Sequence, residues 1–223
     1  MCQRLPEVSV VRLPDGTPLM HDPSDWTCRT AYEGTYEREV LKLLADLLED
    51  GDVVVDVGAN VGIITARASG LVGPTGRVIS VEPSPRCLGD LHAVTDGLEN
   101  VTVVGVALGA ENGMVDLTGW DNPGHRGLGS VVPGHRAGLA ENWFHGETLK
   151  VPQLRLDELL AQQLGDKPLI GLLKVDVEGY EPMVLKGAPD LFREHRVRSA
   201  ILEVTPTLSV DWVGDLLREV RDN

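Results

Sequence analysis

Hydrophobic and polar positions change their spacing several times along the chain, and each change marks an element. Residues 1–31 carry Pro6, Pro14, Pro18 and Pro23 among short apolar runs, with a turn signal at Asp15-Gly16. They predict short strands and loops, a flap or hairpin ahead of the core. From Tyr36 the spacing becomes helical: Val40, Leu43, Leu44, Leu47 and Leu48 recur on one face until Gly51 stops them. Val53–Val57 is a nearly continuous β-branched run, as expected of a strand buried on both faces of a parallel sheet. A glycine-rich turn (58–62), an apolar helix at about 61–71, breakers at Gly73-Pro74 and Gly76, and a second strand at Val78–Val81 follow. A helix around 85–97 leads to a strand at Val101–Val106, and Leu169–Val175 and Ala200–Val204 have the same strand character. Strands alternating with helices predict a doubly wound, Rossmann-like α/β sheet in three layers, α/β/α.

Between Gly109 and Lys150 the periodicity collapses. The stretch is rich in glycine and holds His125, His135, His145, Trp120 and Trp143. It predicts a hairpin with a mobile excursion, since a long loop in a compact domain is usually functional or disordered. The part from Gly119 to Thr148 is expected to have few buried backbone contacts and to act as a lid that orders when substrate binds. The organisation is an N-terminal flap over residues 1–35 and one domain over 36–223, with the irregular insertion at about 110–150; 223 residues leave no room for two large domains.

Charge narrows the partners. Thirty-four acidic against twenty basic residues give a net charge of −14. Nucleic acid as a routine partner would need a basic stripe, and an electrostatic membrane anchor a polybasic cluster. The longest stretch without Asp, Glu, Lys or Arg is Asn100–Ala110, 11 residues, against ~20 needed to cross a bilayer. Arg4, Glu7, Arg12 and Asp15 interrupt the apolar runs near the start, so no secretory leader is expected. Cys2, Cys28 and Cys87 are far apart and form neither a C-x-x-C pair nor a zinc spacing, which suits a reducing cytoplasm. The expectation is a cytoplasmic protein with a small-molecule partner and no resident metal.

The central chemical signal is Val55-Asp56-Val57-Gly58-Ala59-Asn60-Val61-Gly62, directly after a strand and opening a helix. Glycines in such a turn let a ligand approach outward-pointing backbone amides. Glu82 ends the next strand, at the distance where an acid accepts hydrogen bonds from ribose hydroxyls. That spacing suits either a nicotinamide dinucleotide or S-adenosylmethionine (SAM). The turn discriminates. A dinucleotide site uses G-x-G-x-x-G to clear a pyrophosphate, whereas here an acid precedes G-x-N-x-G. An acid suits the ammonium of a methionine moiety and repels a diphosphate. A glycine-rich βα turn without a ligand is the structural alternative.

At these residues the chain resembles the class I SAM-dependent methyltransferases. Leu173-Lys174-Val175-Asp176-Val177-Glu178-Gly179-Tyr180-Glu181, with Val184-Leu185-Lys186-Gly187-Ala188, is similar to the K-[IV]-D-[VI]-E-G-x-E…L-x-G-A signature of the FkbM family. Leu156-Asp157-Glu158-Leu159, Ala107-Leu108-Gly109 and Ile201-Leu202-Glu203-Val204 also fit. The resemblance extends over roughly residues 36–205. It implies SAM as methyl donor and S-adenosylhomocysteine (SAH) as product, with the methyl group going to a hydroxyl of a natural product, sugar or lipid-like molecule. It also implies a cofactor site of Asp56, Gly58, Asn60, Gly62, Glu82, Ala107 and Leu108. Methyltransferases of this class usually end with a helix and an antiparallel strand pair. Here Asp211–Asn223 reads as one amphipathic helix (Trp212, Val213, Leu216, Leu217, Val220), so the sheet is expected without that pair.

An alcohol acceptor needs its proton removed, by a base or by a metal that lowers its pKa. Asp176 at the tip of the fourth strand, Glu178 at the entrance to a helix and Glu203 near the tip of the fifth are candidates. They would serve as base, as hydrogen-bond acceptors, or, less favoured, as oxygen ligands of a divalent cation. The structural alternatives are capping and an ion pair with Lys174 for Asp176 and Glu178, and pairing with a base such as Arg198 for Glu203. His125, His135 and His145 are candidate loop bases, with plain exposure as the alternative. Tyr32 and Tyr36 precede or open the first long helix, which often borders the cofactor in this architecture. The competing functions are methylation of an amine nitrogen, a SAM-binding module of the same fold without catalysis, and an oxidoreductase, which the turn sequence disfavours.

Overall fold

The computed structural model describes residues 9–121, 124–132, 147–165, 167–204 and Gly214. The chain opens with a hairpin of β1 (Ser9–Arg12) and β2 (Pro18–His21), followed by α1 (Trp26–Tyr32) and α2 (Arg38–Leu47). Then β3 (Val53–Val57), α3 (Ile63–Val72), β4 (Arg77–Val81), α4 (Pro85–Thr95) and β5 (Val101–Val104) alternate. β6 (Ala107–Leu108), β7 (Gly113–Leu117), a single 3-10 turn at Arg126–Leu128 and β8 (Leu149–Leu154) follow. The chain continues through α5 (Leu156–Leu164), β9 (Ile170–Val175), α6 (Glu181–Lys186), α7 (Pro189–Arg193) and β10 (Val197–Leu202).

Five parallel strands form the central sheet in the order β10-β9-β3-β4-β5. Alternation along each strand sends side chains to two separate cores. Val55, Val57, Ile79, Val81, Leu173 and Val175 meet Leu156, Leu159 and Leu160 of α5, Val184 of α6 and Leu191 of α7. Val54, Val78 and Leu172, on the other face, meet Leu44 of α2 and Ile64, Ala68 and Val72 of α3. This is the expected three-layer, doubly wound α/β fold. Among the described residues the sheet ends at β10; residues 205–213 and 215–223, with the expected C-terminal helix, lie outside them.

Three expectations are corrected. The strand expected at Val101–Val106 stops at Val104, where Val106 N donates to Val104 O (3.1 Å) and Gly105 turns the chain. Ala107–Leu108 then joins a second, three-stranded sheet, order β6-β8-β7, in which β7 and β8 are the hairpin expected in the irregular region. In the N-terminal segment the hairpin is accompanied by α1, whose start is capped by Asp25 accepting from Cys28 N at 3.1 Å. Leu19, Met20, Cys28 and Ala31 share a core with Val61, Ile63 and Ala66 around α3 and Val94 of α4, so this segment is anchored on the sheet's helical layer. Finally, within the expected excursion residues 124–132 pack back on the fold, while residues 133–146 lie outside the described residues. Thr118 and Ser130 exchange backbone hydrogen bonds at 3.0 Å each way, and Val131 packs with Ala107, Leu117 and Val151.

Several of the family-like motif pieces prove to be joints. A Cβ on Gly187 would lie 2.2 Å from Gly109 O, so the Leu-Lys-Gly-Ala and Ala-Leu-Gly segments meet where only glycine fits. Asp157 accepts from the amides of Asp190 (3.1 Å) and Leu191 (3.2 Å) and tethers α7 to the start of α5. No helix among the described residues is long and apolar enough to cross a membrane.

Candidate active site

The carboxyl ends of β3, β4, β9 and β10 open on one cavity of about 250 Å³. A crevice outside the carboxyl ends of parallel strands is where ligands bind in open α/β sheets. Gly58 and Asn60 enter it from the turn after β3, Glu82 after β4, Asp176 and Glu178 after β9, and Glu203 after β10. Trp26, Tyr36 and Glu37 close one side, and His125, Gly127 and Val131 bring the 124–132 strap across another.

The turn after β3 is shaped by steric necessity. Gly58 has φ +79°, and a Cβ there would lie 1.8 Å from Asp176 O. Asn60 also adopts the left-handed conformation, φ 52°, which Asn tolerates better than most residues. Its amide donates to Glu82 Oε2 at 2.9 Å, while Glu82 Oε1 accepts from Ser84 N at 2.8 Å. Glu82 is 7% exposed. Burial pushes its carboxyl up to about 7, and the two amides oppose that rise. Each oxygen keeps a second lone pair, and the wall beside it is apolar: Val57, Val81, Val106, Ala107 and Leu108.

Two expected cofactor contacts do not line the cavity. Asp56 is fully buried beneath the turn, where Thr65 Oγ1 donates to it at 2.7 Å and Lys174 Nζ lies 3.5 Å away. A carboxylate at zero exposure requires such partners. The ammonium it meets is that of Lys174. Gly62 faces α4, and a Cβ there would come within 2.8 Å of Leu91. Both residues build the turn from below.

Lys174 is itself 4% exposed and bridges the two motifs, reaching Asp176 Oδ2 at 3.2 Å and Gly58 O at 3.2 Å. Burial works against its charge, but Asp176 and Asp56 outweigh that and hold the ammonium above its usual range. The expected ion pair of Asp176 with Lys174 is therefore present, and Asp176 still reaches the cavity. Glu203 is hydrogen-bonded to Asp176, and burial together with Asp176 and Glu178 pushes it up to about 8. Its alternative partner, Arg198, sits at the other end of β10 and pairs with Asp52 at 2.9 Å. Among the described residues no group of three or more His, Cys, Asp or Glu is arranged to hold a metal ion.

His125 lines the cavity with its ring stacked on Trp26, centroids 6.3 Å apart and planes at 26°. His135 and His145 lie outside the described residues, as does Trp143. Trp120 donates from Nε1 to Glu147 O at 2.8 Å and packs in the cluster around Leu117. Of the two candidate tyrosines, Tyr36 lines the cavity and exposed Tyr32 does not, while Tyr180 also lines it; burial raises the Tyr36 phenol, with Lys174 opposing and Asp176 adding. Glu37, which sequence reasoning did not single out, lies next to it with φ 44°. Burial and then Asp176 raise its carboxyl. Its position before the α2 helix was the available signal. Trp26 and Cys87 were also missed; Cys87 stands in the first turn of α4, after the cap Ser84 and Pro85.

Comparison with known proteins matches residues 56–222 to the family model described as the methyltransferase FkbM domain. The chain is 31% identical over 179 residues to the methyltransferase sdnD of Sordaria araneosa, covering 70% of this chain and 67% of that protein. It is 26% identical over 189 residues to the hexuronic acid methyltransferase AglP of Haloferax volcanii, covering 83% and 69%. A crystal structure of the methyltransferase FkbM of Methylobacillus flagellatus aligns with a TM-score of 0.46 at 22% identity, over 78% of this chain and 43% of that one. The turn, the carboxylate cluster and the family match agree, and the chain belongs to the FkbM family of SAM-dependent methyltransferases.

Proposed function

We propose that this protein transfers a methyl group from SAM to a hydroxyl of a small molecule. What supports this is that carboxylates from two strand tips and a helix entrance, Asp176, Glu203 and Glu178, line the same cavity as the Gly58–Asn60 turn and Glu82. Glu82 has spare acceptor capacity beside an apolar slot, which suits a nucleoside with two ribose hydroxyls. Gly58, Asn60, Glu82, Ala107 and Leu108 are the residues that would hold the cofactor. When bound, SAM supplies an electrophilic methyl group on a sulfonium, whose loss leaves a neutral thioether.

The chain's own task is to align the acceptor and take its proton. Glu203 is hydrogen-bonded to Asp176, whose neighbouring charge helps Glu203 hold its proton. Ionised, Glu203 is an acceptor for the hydroxyl proton, poised near neutral pH where a general base works best. Lys174 stays protonated beside Asp176 and limits the repulsion between the two carboxylates.

The acceptor class follows from the wall. Among the residues whose side chains are described, Lys174 is the Lys or Arg that lines the cavity, and Asp56, Asp176 and Gly58 O already engage it; the side chain of Arg126, between His125 and Gly127, lies outside them. Glu37, Asp176, Glu178 and Glu203 line the same cavity. A neutral or amino-bearing polyol fits this wall better than a uronate, although a relative is named for hexuronic acid. The test is transfer of a tritiated methyl group from SAM to matched panels of neutral polyols, amino polyols and uronates, with the product bond assigned by NMR. A methyl ether is expected. A methylamine product would move the reaction to nitrogen, and SAM binding with transfer to none of them would leave a binding module.

A further inference from the structure

Glu181 opens α6, and its side chain is fully buried. One carboxylate oxygen, Oε1, accepts from Val177 N at 2.9 Å and from Gly179 N at 3.2 Å. Those amides flank Glu178, so the clamp encloses the residue that lines the cavity. Both Glu178 (φ 55°) and Gly179 (φ 98°) are left-handed. A left-handed Glu is strained and persists only where its surroundings fix it. The second fixing point is Ser130, whose hydroxyl donates to Glu178 O at 3.0 Å from the 124–132 strap. The other oxygen of Glu181, Oε2, has no hydrogen-bond partner although it is buried. Leaving a buried carboxylate oxygen unpaired is costly, and loop closure alone does not account for it, because an amide side chain would supply the same acceptor.

We propose that Glu181 is a positioning residue for methyl transfer: Oε1 fixes the left-handed turn that brings Glu178 to the cavity, and the carboxylate sets a buried charge behind the Asp176–Glu203 pair. This rests on the acid–base role given to Glu203 above. The groups facing Glu203 are Asp176 after β9, Glu178 in the turn and Glu181 in α6, with Lys174 paired to Asp176 from within β9. Glu181 is one of the charges that raise Glu203. The second role explains a carboxylate where an amide would close the loop equally well.

The two roles separate in two variants. Glu181→Gln keeps an acceptor oxygen and removes the charge; Glu181→Ala removes both. The probes are the Val177 and Gly179 amides by hydrogen exchange and the Glu203 carboxyl by carbon-13 NMR titration, in SAH-bound protein, with Glu203→Gln used to assign the signal. In Glu181→Gln the two amides are expected to exchange as in wild type. The Glu203 midpoint should move to lower pH by on the order of half a unit to one, as expected when a like charge is removed. In Glu181→Ala the same amides should exchange roughly tenfold faster or more, the factor that corresponds to losing one hydrogen bond. A Glu203 midpoint that stays in place in Glu181→Gln overturns the electrostatic role. Wild-type exchange in Glu181→Ala overturns the clamp. If Glu181→Ala does not fold, the Gln variant decides the electrostatic role, and the protection of the Val177 and Gly179 amides in wild type decides the clamp: amides that exchange as fast as exposed ones overturn it. None of these readouts needs an acceptor, so they stand apart from the methyl-transfer assay: the absence of methyl ether there counts against the proposed function and leaves this result intact.

Discussion

Gly58 and Asp176 approach so closely that a Cβ on the glycine would lie 1.8 Å from the aspartate's carbonyl oxygen. The tips of β3 and β9 are in this way locked together at the point where the cavity opens, with Asp176 N donating to Val57 O at 3.1 Å. Gly58→Ala meets both this overlap, which involves backbone on the other side, and a φ of +79°. Strain and overpacking together are expected to cost more than ~3 kcal/mol. Urea unfolding checks this; a variant within ~1 kcal/mol of wild type would mean that the strand tips separate easily.

Lys174 is predicted to be structural before it is catalytic. Lys174→Met leaves the fully buried Asp56 with Thr65 alone and should destabilise the fold by ~3–5 kcal/mol, as expected when one partner of a buried pair is removed. Adding Asp56→Asn removes the stranded charge and should recover a large part of the loss. Denaturant unfolding of the two single variants and the double decides. Equal stability of Lys174→Met and the double variant would show that Asp56 does not depend on Lys174.

Much of this was legible in the chain. β3 and β9 announced themselves because a strand buried on both faces admits little but branched apolar residues, as in Val53–Val57 and Leu169–Val175. The turn and the carboxylates at the strand tips followed from the same reading. What was not legible was which way a side chain would face at a strand's last residues. Asp56 and Glu82 both look like tip acids, yet pairing with Lys174 draws one below the turn while the other lines the cavity. Partners far apart in sequence, such as Ser130 and Glu178 or Gly124 and Trp26, leave no periodic trace, so the strap resembled a free loop. Short α1 was hidden for a related reason: a seven-residue helix offers two turns of pattern, and Pro23 stands just before it.

Glu82 joins cofactor affinity to pH-dependent stability. Glu82→Ala removes a charge-assisted acceptor worth ~1.5–3 kcal/mol, so SAH affinity measured by calorimetry should fall roughly ten- to a hundredfold. The free protein carries a second signature. An acid that titrates at about 7 when folded, against an ordinary value of 4.5, holds its proton more tightly in the folded state. Its stabilising contribution is complete below about 4.5 and is lost as pH rises through about 7. Glu203 acts in the same direction, with its loss extending to about 8. The part of the unfolding free energy that these two carboxyls supply should therefore decline from pH 5 to pH 8, and in denaturant unfolding Glu82→Gln should flatten the pH slope by an amount on the order of 2 kcal/mol over that range. An unchanged slope in Glu82→Gln would remove Glu82 as its source.

The last prediction separates the candidate bases. His125 stacks on Trp26, and the strap that carries it is tied to α1 by Trp26 N donating to Gly124 O at 2.8 Å. That is an arrangement for shaping one wall of the cavity. Glu203 shares a hydrogen bond with Asp176 and titrates at about 8. With an acceptor found in the panels above, Glu203→Gln should lower turnover at saturating SAM by ~10²–10⁴, the range of a positioned base. SAH affinity should hold within about threefold, because the variant removes no group assigned to the cofactor. His125→Ala should lose less than about tenfold and raise KM instead, as expected for a contact made equally in ground and transition states. The wild-type rate should climb with pH as Glu203 gives up its proton, and that limb should disappear in Glu203→Gln. The reverse pattern, in which His125→Ala loses the limb and Glu203→Gln keeps it, would transfer the base to the strap. Retention of the limb in both variants would exclude the two residues together and direct the search to Asp176, Glu178 and Glu37, the remaining carboxylates lining the cavity that are not assigned to the cofactor.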